Sequence, residues 1–338
     1  MAINWYNNHF CSYYTIKTKH CKRLHFSLKC GIFPLGDYFM KERIKGSAFL
    51  LLATVIWGSA FVAQSVGMDH IGPFTFQAVR CAMAVIGLLP VIYLFDRPKK
   101  DGKTYLSRWM DKRLWLAGIL CGIPLFLAVN LQQIGLIDTD AGKSAFLTAM
   151  YIIMVPLIGL FLKRKPSPMI PFAVLLAAAG LYLLSCAGVA QINQGDLFLL
   201  GCALMFAIQI IVVDHFADSV DALRLNCIQS LVCTVLSAIA MVGTEQPTWQ
   251  GISDCLVPLA YAGFLSLGAG YSLQILGQQR LEPTPASLIM SLESVFAVLF
   301  GCLLLHERLS ANETIGCVLV FAAVILSQIP IKTKKQTP

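Results

Sequence analysis

Long apolar runs alternate with short polar segments along most of the chain. Each run holds about twenty residues, which as an α-helix rising 1.5 Å per residue cross a hydrocarbon layer of ~30 Å. Glycine, proline, aspartate and asparagine separate the runs, as is typical of turns between helices. The pattern predicts an all-α integral membrane protein with ten transmembrane helices, at about 46–66, 73–95, 114–136, 143–162, 169–188, 196–214, 223–243, 255–277, 285–305 and 312–331.

Residues 1–45 do not follow this pattern. The segment is mixed and basic, and it has neither a sustained apolar core nor a small-residue cleavage site, so it is not a signal peptide. We expect a disordered N-terminal extension. Because Met40 followed by basic residues is a natural start for a membrane protein, it stays open whether residues 1–39 belong to the protein. Residues 332–338 are expected to form a short cytoplasmic tail.

The composition changes the picture little. Of 338 residues, 57% are hydrophobic and 13% are charged, and the mean hydropathy is +0.70, whereas a soluble domain carries about 25% charged residues. The net charge of +8 comes from short loops without interleaved aromatics, so we expect membrane lipid and a small-molecule solute as partners, and no nucleic acid. No CxxC pair occurs among the twelve cysteines, and the nine that lie within or at the ends of the apolar spans are expected to be packing residues. We expect no metal and no cofactor.

Basic residues lie mainly on one side of the predicted spans. Eighteen lysines and arginines fall on the side that holds both termini, and two, Lys143 and Arg308, fall on the other. By the positive-inside rule both termini are cytoplasmic. We therefore expect a multi-pass protein of the cell inner (plasma) membrane, present as a monomer or a homodimer.

The two halves of the chain resemble each other. At an offset of 143 residues, 144–162 runs alongside 287–305, and an offset near 149 pairs the start of span one with the start of span six. Each unit, 46–188 and 195–331, holds five spans. Because five is an odd number, the second unit must insert upside down relative to the first, which is the inverted-repeat architecture of many secondary transporters.

The sequence WGSAF lies at 57–61 in span one, and HERL closes span nine at 306–309. These motifs resemble those of the EamA family of the drug/metabolite transporter superfamily, and the likeness covers about 46–330 in two copies. The resemblance implies a ten-helix bundle that carries small metabolites, often outward, across a bacterial cytoplasmic membrane. The family often has Glu-Pro in the ninth helix, but here Glu293 is followed by Ser294, which leaves the type of solute open.

Arg80 lies about seven residues into span two, one turn after Gln77. A guanidinium binds a carboxylate through two parallel hydrogen bonds, so Arg80 could hold an anionic group of a solute in the translocation path. The alternative is that Arg80 reaches the membrane interface or bonds backbone carbonyls of a neighbouring helix.

Glu293 lies near the middle of span nine. A charge there costs roughly 2.5–3.5 kcal/mol on insertion-based scales, so such a residue usually faces a protein-lined cavity. In one interpretation Glu293 couples transport to protons, taking up a proton from one side of the membrane and releasing it to the other. In the other it is a protonated or hydrogen-bonded acid that orients the helix. Both interpretations stay open at this point.

Further polar and aromatic residues predict a hydrated centre. Tyr271 and Gln274 share a helix face because they are three residues apart, and so do Asn130 and Gln133. Hydrogen bonds between helices, worth ~0.6 kcal/mol each, are the alternative role of such residues. The predicted binding or translocation residues are Trp57, Arg80, Asn130, Gln133, Tyr151, Gln209, Gln229, Tyr271 and Gln274, with Glu293 as the proton-coupling residue.

The function predicted from these features is a secondary transporter that exports a small metabolite, such as an amino acid or related solute, by alternating access. The alternative is a membrane-embedded lipid-processing enzyme. Such an enzyme would need a cluster of His, Asp, Glu or Cys near a membrane face. No HExxH or GxSxG motif occurs, so we expect no catalytic residue and no enzyme.

Overall fold

The computed structural model describes residues 35–96, 104–139, 141–163, 169–185, 193–305 and 310–328. Helices joined by short turns account for these residues, and no β-strand occurs among them. The helices are α1 (Leu35–Met68), α2 (Pro73–Phe95), α3 (Tyr105–Trp109), α4 (Lys112–Gly135), α5 (Ala141–Ala149), α6 (Tyr151–Phe161), α7 (Ile170–Ser185), α8 (Gln194–Ala217), α9 (Ala222–Thr244), α10 (Trp249–Asp254), α11 (Leu256–Ala260), the π-helix π1 (Tyr261–Gly270), α12 (Tyr271–Gln278), α13 (Pro283–Met290), α14 (Leu292–Leu305) and α15 (Ala311–Gln328).

Eight helical stretches of the described chain are long and apolar enough to cross a membrane. The prediction of an all-α membrane protein is therefore confirmed, whereas the count of ten is not. Predicted spans five and ten correspond to shorter apolar helices, and both predicted spans continue beyond the described residues. The eight stretches are Met40–Met68, Pro73–Phe95, Lys112–Gly135, Ala141–Phe161, Gln194–Ala217, Ala222–Thr244, Leu256–Gln278 and Pro283–Leu303, and the two shorter helices are Ile170–Leu183 and Ala311–Ser327.

The polar and apolar side chains are distributed as in a membrane protein. Large apolar side chains lie on the outer surface, such as Leu94 at 75% and Val242 at 79% exposure. Polar side chains are buried inside, and Gln77, Asn226 and Gln229 are each 0% exposed. The outer apolar surface suits contact with lipid. Because neither lipid nor the apolar core offers hydrogen bonds, the buried polar groups must bond one another.

Helix α1 begins earlier than the hydropathy pattern predicted. Residues 35–45, expected to belong to a disordered extension, are helical. Glu42 stabilises this first part, because it lies 2.9 Å from Lys45 one turn along and 3.0 Å from Arg280 at the end of α12. The remainder of the predicted extension, residues 1–34, lies outside the described residues, and so do the HERL motif at 306–309 and the tail at 332–338.

Predicted spans four and nine are each broken into two helices. The first break is at Met150, between α5 and α6, and the second is at Ser291, between α13 and α14. The Ser291 hydroxyl donates a 2.8 Å hydrogen bond to the carbonyl of Leu288, and such bonds to the preceding turn bend helices. Each break is a single-residue turn, and the helix that follows is joined to it by a backbone hydrogen bond, from Ile153 to Met150 at 3.0 Å and from Ser294 to Ser291 at 3.2 Å.

Predicted span eight is also irregular. It runs from α11 through the ten-residue π1 into α12. Pro258 in α11 has no N–H to donate, and Gly263, Gly268 and Gly270 allow the wider turn. A π-helix is rare and is often found at functional sites.

The helices of the two halves make matching contacts. Helix α1 packs on α14, α12 and π1, and α8 packs on α6 and α4. Helix α2 packs on π1, and α9 packs on α4. Two pairs join corresponding helices, α2 with α9 and α7 with α15. An exchange of the halves therefore maps this set of contacts onto itself.

Candidate functional site

A small polar cavity lies at the centre of the bundle. Its volume is about 30 Å³, which is room for about two water molecules. Helices of both halves contribute to its wall, so neither half forms it alone. The lining residues are Trp57, Phe61, Gln64, Arg80, Gln132, Tyr151, Phe206, Ile210, Ser266, Tyr271, Gln274, Met290 and Glu293.

Glu293 lies in the wall of this cavity, immediately after the break between α13 and α14. It is 6% exposed, and it accepts a 3.0 Å hydrogen bond from the hydroxyl of Tyr151. Tyr151 is the first residue of α6, immediately after the other break. The two broken helices therefore meet through these two side chains. Glu293 also lies at the N-terminus of α14, where the helix dipole favours a negative charge.

Arg80 lies in the same wall and is 2% exposed. Its Nε donates to Gln77 Oε1 at 2.6 Å, and its Nη1 donates to Gln64 Oε1 at 2.7 Å. Both acceptors are neutral amides. Among the described residues, no carboxylate forms an ion pair with Arg80, so its charge is uncompensated by any of them.

A second layer of amides holds the partners of Arg80 in place. Gln77 donates to the Val129 carbonyl at 2.7 Å and to Gln133 Oε1 at 3.2 Å. Gln133 in turn donates to the Gln64 carbonyl at 3.1 Å. Gln133 thus does not line the cavity itself. It is hydrogen-bonded to Gln77 and Gln64, the two residues that accept hydrogen bonds from Arg80.

Aromatic rings form the apolar part of the wall. Trp57 and Tyr271 have ring centroids 5.0 Å apart, and Tyr151 and Phe206 have centroids 6.5 Å apart. Trp57 Nε1 donates to the carbonyl of Ser266 in π1 at 3.2 Å. The π-helix thus offers a main-chain oxygen to the cavity wall.

A chain of amides leads away from the cavity on the side of α8 and α9. Gln274 lines the cavity and donates to Gln209 Oε1 at 3.0 Å. Gln209 donates to Gln229 Oε1 at 3.4 Å, and Gln229 donates to Asn226 Oδ1 at 3.0 Å. Gln209 and Gln229 are therefore connected to the site through hydrogen bonds and do not line it. The Oε1 atom of Gln274 is buried and has no partner among the described residues.

Asn130 lies away from the cavity, between α4 and α9. It donates to the Phe126 carbonyl at 2.8 Å and to Ser237 Oγ at 3.0 Å. It thus bonds a neighbouring helix, which is the alternative role considered for such residues. Gln132, the neighbour of Gln133, lines the cavity instead and bonds Thr148 at 3.2 Å.

Of the ten residues predicted for the site, six line the cavity: Trp57, Arg80, Tyr151, Tyr271, Gln274 and Glu293. Sequence reasoning missed Gln64, although a signal was present. Gln64 lies seven residues after Trp57, which places both side chains on one face of α1. The apolar lining residues Phe61, Phe206, Ile210 and Met290 carry no signal that separates them from ordinary packing residues.

The wall combines a cation, an acid and aromatic rings. Arg80 can bind an anionic group, Glu293 can bind a cationic group or carry a proton, and the rings can contact an apolar part of a solute. Among the residues that the structure describes, no group of three His, Cys, Asp or Glu could hold a metal ion. The charged groups and the rings of the wall suit the binding of a small solute within the membrane.

These features define a multi-pass membrane protein with a polar cavity between its two halves, as found in transporters. The model of the EamA-like transporter family matches residues 44–186 and again 193–328. The chain belongs to this family. The resemblance seen in its motifs is thereby confirmed, and the protein is a membrane transporter and not an enzyme.

Several curated proteins are similar over most of the chain. An uncharacterized transporter of Archaeoglobus fulgidus is 30% identical over 296 residues, which cover 86% of this chain and 88% of that protein. The uncharacterized transporter YoaV of Bacillus subtilis is 21% identical, over 85% of this chain and 97% of that protein. A WAT1-related chloroplastic protein of Arabidopsis thaliana is 23% identical, over 81% of this chain and 67% of that protein.

A solved crystal structure has a similar fold. It matches with a TM-score of 0.67 at 16% sequence identity, and the match covers 84% of this chain and 96% of that chain. At this identity the similarity concerns the arrangement of the helices and not the solute.

Proposed function

We propose that this protein is a secondary transporter with ten transmembrane helices, built from two inverted repeats at 46–188 and 195–331. Matching contacts in the two halves support this architecture. Helices α2 and α9 also support it, because both have 23 residues and their bounds differ by the same 149 positions. Such repeats exchange their conformations when a central site opens to one side and then to the other.

The size of the cavity supports alternating access. A volume of about 30 Å³ admits water but no metabolite, because a site for a small molecule usually measures several hundred Å³. We assign the structure to a closed step of the transport cycle. A solute then enters only when the helices around Tyr151 and Glu293 move apart on one side of the membrane.

Arg80 and Glu293 in one wall are the observation that supports the solute class. A buried guanidinium held only by neutral amides attracts an anionic group, since an uncompensated buried charge is costly. A carboxylate on Arg80 and an ammonium near Glu293 suit an amino acid or a related zwitterion. The aromatic rings of Trp57 and Tyr271 suit its apolar side chain. We propose export across the cytoplasmic membrane as the direction, with both termini cytoplasmic.

Glu293 is proposed to couple transport to protons. Its carboxyl faces the closed cavity and bonds only Tyr151 among the described residues. A neutral carboxyl and a carboxylate would bind a solute ammonium with different strength, so uptake and release of a proton change the affinity. This exchange links the proton gradient to the movement of solute.

Purified protein in proteoliposomes tests the transporter proposal. Labelled amino acids and other small metabolites are offered with and without a proton gradient, and accumulation is measured. We expect saturable accumulation of at least one zwitterionic or anionic solute that depends on the gradient. Transport of cationic or neutral solutes alone would contradict the assigned solute class.

Variants of Arg80 test its role. We expect Arg80→Gln to weaken solute binding about tenfold or more, because it removes a charge-assisted interaction, while Arg80→Lys retains part of the affinity. The control is Arg113→Gln, at an exposed position at the start of α4. An unchanged Kd in Arg80→Gln would show that Arg80 only supports the helices.

Glu293→Gln tests the coupling. The amide can replace the hydrogen bond to Tyr151 but carries no titratable proton. We expect solute exchange to persist and proton-driven accumulation to be lost. The control is Glu282→Gln, at an exposed carboxylate just before α13. Unchanged accumulation in Glu293→Gln would remove the coupling role and leave the acid as a structural residue.

A further inference from the structure

We propose that Asp96 and Glu245 are two latches that hold opposite ends of the α2–α9 contact, and that each latch opens in a different half of the transport cycle. The inference rests on the alternating-access function proposed above. It names the groups that keep each side of the central cavity closed.

The helices around the cavity fall into two groups by their contacts. The first group contains α1, α2, π1, α12, α13 and α14, and the second contains α8, α9, α4, α5 and α6. Helices α5 and α6 also touch α13 and α14, but the most extensive contact between the groups is that of α2 with α9. A rocking movement of one group against the other must therefore change this contact.

Asp96 lies at the C-terminal end of α2 and contacts the second group. Its carboxylate is 2.5 Å from Arg108 Nη1 and 2.9 Å from Arg224 Nη2. All three side chains are less than a tenth exposed. The guanidinium of Arg224 also lies 5.4 Å from the ring centroids of both Tyr105 and Trp109. This latch thus joins α2 to the start of α9 and to α3.

Asp96 is ionised at neutral pH. Burial alone would raise the pKa of its carboxyl, but the ion pairs with Arg224 and then Arg108 more than offset this effect. The net result is a pKa below the ordinary value of 3.8. The latch is therefore charged under physiological conditions. In its closed form Asp96 lies between two guanidinium groups, and Arg224 also lies 3.7 Å from the carboxylate of Asp221 at the start of its own helix.

Glu245 lies at the C-terminal end of α9 and contacts the first group. Its carboxylate accepts from the backbone N–H groups of Phe74 at 2.9 Å and Thr75 at 2.8 Å, and from the Thr75 hydroxyl at 2.6 Å. Helix α2 has no cap from its own side chains, so Glu245 satisfies N–H groups that would otherwise lack a partner. Gly72 leaves the necessary space, since a Cβ there would lie 2.6 Å from Glu245 Oε1.

The two latches are equivalent in the two halves. Asp96 and Glu245 are 149 residues apart, and their partners Thr75 and Arg224 are also 149 residues apart. Each carboxylate follows the last residue of its helix, and each contacts the third residue of the other helix. The chemistry differs, because one end uses arginines and the other uses a helix N-terminus.

Ion pairs within a group differ from these latches. Lys143 and Asp196 are 2.7 Å apart and join α5 to α8 in the second group. Glu42 and Arg280 are 3.0 Å apart and join α1 to the end of α12 in the first group. A rocking movement of the groups leaves both pairs intact. The ion pair of Asp96 with Arg224 and the hydrogen bonds of Glu245, in contrast, join α2 to α9 and so cross between the two groups.

Both latches are closed in a structure whose cavity holds only about 30 Å³. This combination is what a closed intermediate requires, because contacts at both ends of α2 and α9 then hold the two groups together around a site too small for a metabolite. Release at Asp96 would open the end that the charge count places in the cytoplasm. Release at Glu245 would open the other end.

Hydrogen–deuterium exchange of the full chain in lipid nanodiscs tests the latches without any solute. We expect Asp96→Asn to raise exchange about tenfold at the adjoining ends of α2 and α9, the factor expected when a charge-assisted bond is lost, and to lower it at the Glu245 end. We expect Glu245→Gln to give the reverse pattern. Two milder variants serve if the first two fail to fold: Arg108→Gln at the Asp96 latch and Thr75→Val at the Glu245 latch. Each removes only part of its latch, so we expect the same patterns of exchange with smaller changes.

The matched controls are Asp196→Asn and Glu42→Gln, which break pairs within one group. We expect them to change exchange only near the altered residue. The proposal would be overturned if hydrogen exchange rose at both ends of α2 and α9 in either latch variant. It would also be overturned if exchange changed only near the altered residue, as in the controls. If the protein transports a solute but the latch variants show no opposite changes in hydrogen exchange at the two ends, only the latch proposal is contradicted. If the opposite changes appear but no zwitterionic or anionic solute is transported, only the proposed solute class is contradicted.

Discussion

Gly58 allows two helices to approach until their backbones touch. It lies in α1 against α14, and a Cβ at Gly58 would clash with Phe296 and lie 2.8 Å from the backbone nitrogen of Ala297. A backbone cannot rotate away as a side chain can. Gly58 also belongs to the motif at 57–61, so one physical role of this motif is the close α1–α14 contact.

The close contact predicts the effect of one added methyl group. We expect Gly58→Ala to destabilise the protein by ~1–3 kcal/mol, the usual cost of overpacking, and to lower its melting temperature in detergent. Gly159→Ala is the matched control, since a Cβ there would meet no atom within 4 Å. Equal melting temperatures of the two variants would contradict the contact.

Single residues also show how a charge is kept in the membrane. Arg80 and Glu293 are both buried, and each has neutral hydrogen-bond partners among the described residues. Burial of a charge in a membrane is costly. We propose that an anionic group of a solute offsets this cost at Arg80 when it enters the cavity.

At the scale of helices, the broken helices and the π-helix all contribute to the cavity wall. The breaks at Met150 and Ser291 bring Tyr151 and Glu293 together, and π1 turns a carbonyl toward Trp57. Helices α2 and α9, in contrast, are each one unbroken α-helix and bear the most extensive contact between the two groups. Broken and unbroken helices both line the cavity, whereas the ends of α2 and α9 carry the proposed latches.

The α2–α9 contact predicts a cross-link. Cys81 Sγ and Cys233 Sγ lie 3.3 Å apart between the two helices, and both residues are buried. With diamide as oxidant, we expect the two thiols to lose two electrons and two protons and form a disulfide, while the azo group of diamide takes them up. Intact mass and peptide mapping would detect it.

Cysteine variants are the controls for this cross-link. Cys81→Ser should abolish it, and Cys121→Ser, at a buried cysteine in α4, should leave it unchanged. A disulfide between Cys81 and any other cysteine, or none at all, would contradict the packing of α2 on α9.

At the scale of the molecule, the helices of one half make the same set of contacts as the corresponding helices of the other half. Corresponding helices contact each other in two pairs, α2 with α9 and α7 with α15. The central cavity draws its wall from both halves. This symmetry supports the proposed alternating access, in which each half adopts in turn the conformation of the other.

Inverted repeats predict the sidedness of equivalent positions. Phe95 and Thr244 are the last residues of α2 and α9, and they are 149 positions apart. We expect a fluorescent-protein fusion after Phe95 to be fluorescent and a phosphatase fusion after Thr244 to be active, because the first reporter works inside the cell and the second outside. Both fusion points on the same side would rule out the inverted repeats.

The sequence alone determined the class of protein. A transmembrane helix must be long and apolar, because lipid offers no partner to an exposed polar group. Hydropathy therefore located the apolar spans and singled out Arg80 and Glu293 as residues that need a reason to be there. The motifs at 57–61 and 306–309, together with the spans and their duplication, indicated the family, which the match to both halves confirmed.

Only the tertiary structure decided which residues meet. Spacing in the sequence indicates which face of a helix a residue shares, but not which helix that face contacts. Tyr151 reaches Glu293 across 142 positions, and Gln132 rather than Gln133 lines the cavity. The breaks at Met150 and Ser291 and the contacts of Asp96 and Glu245 likewise depend on helices distant in sequence, since packing of neighbours fixes rotation and bending that local propensity leaves free.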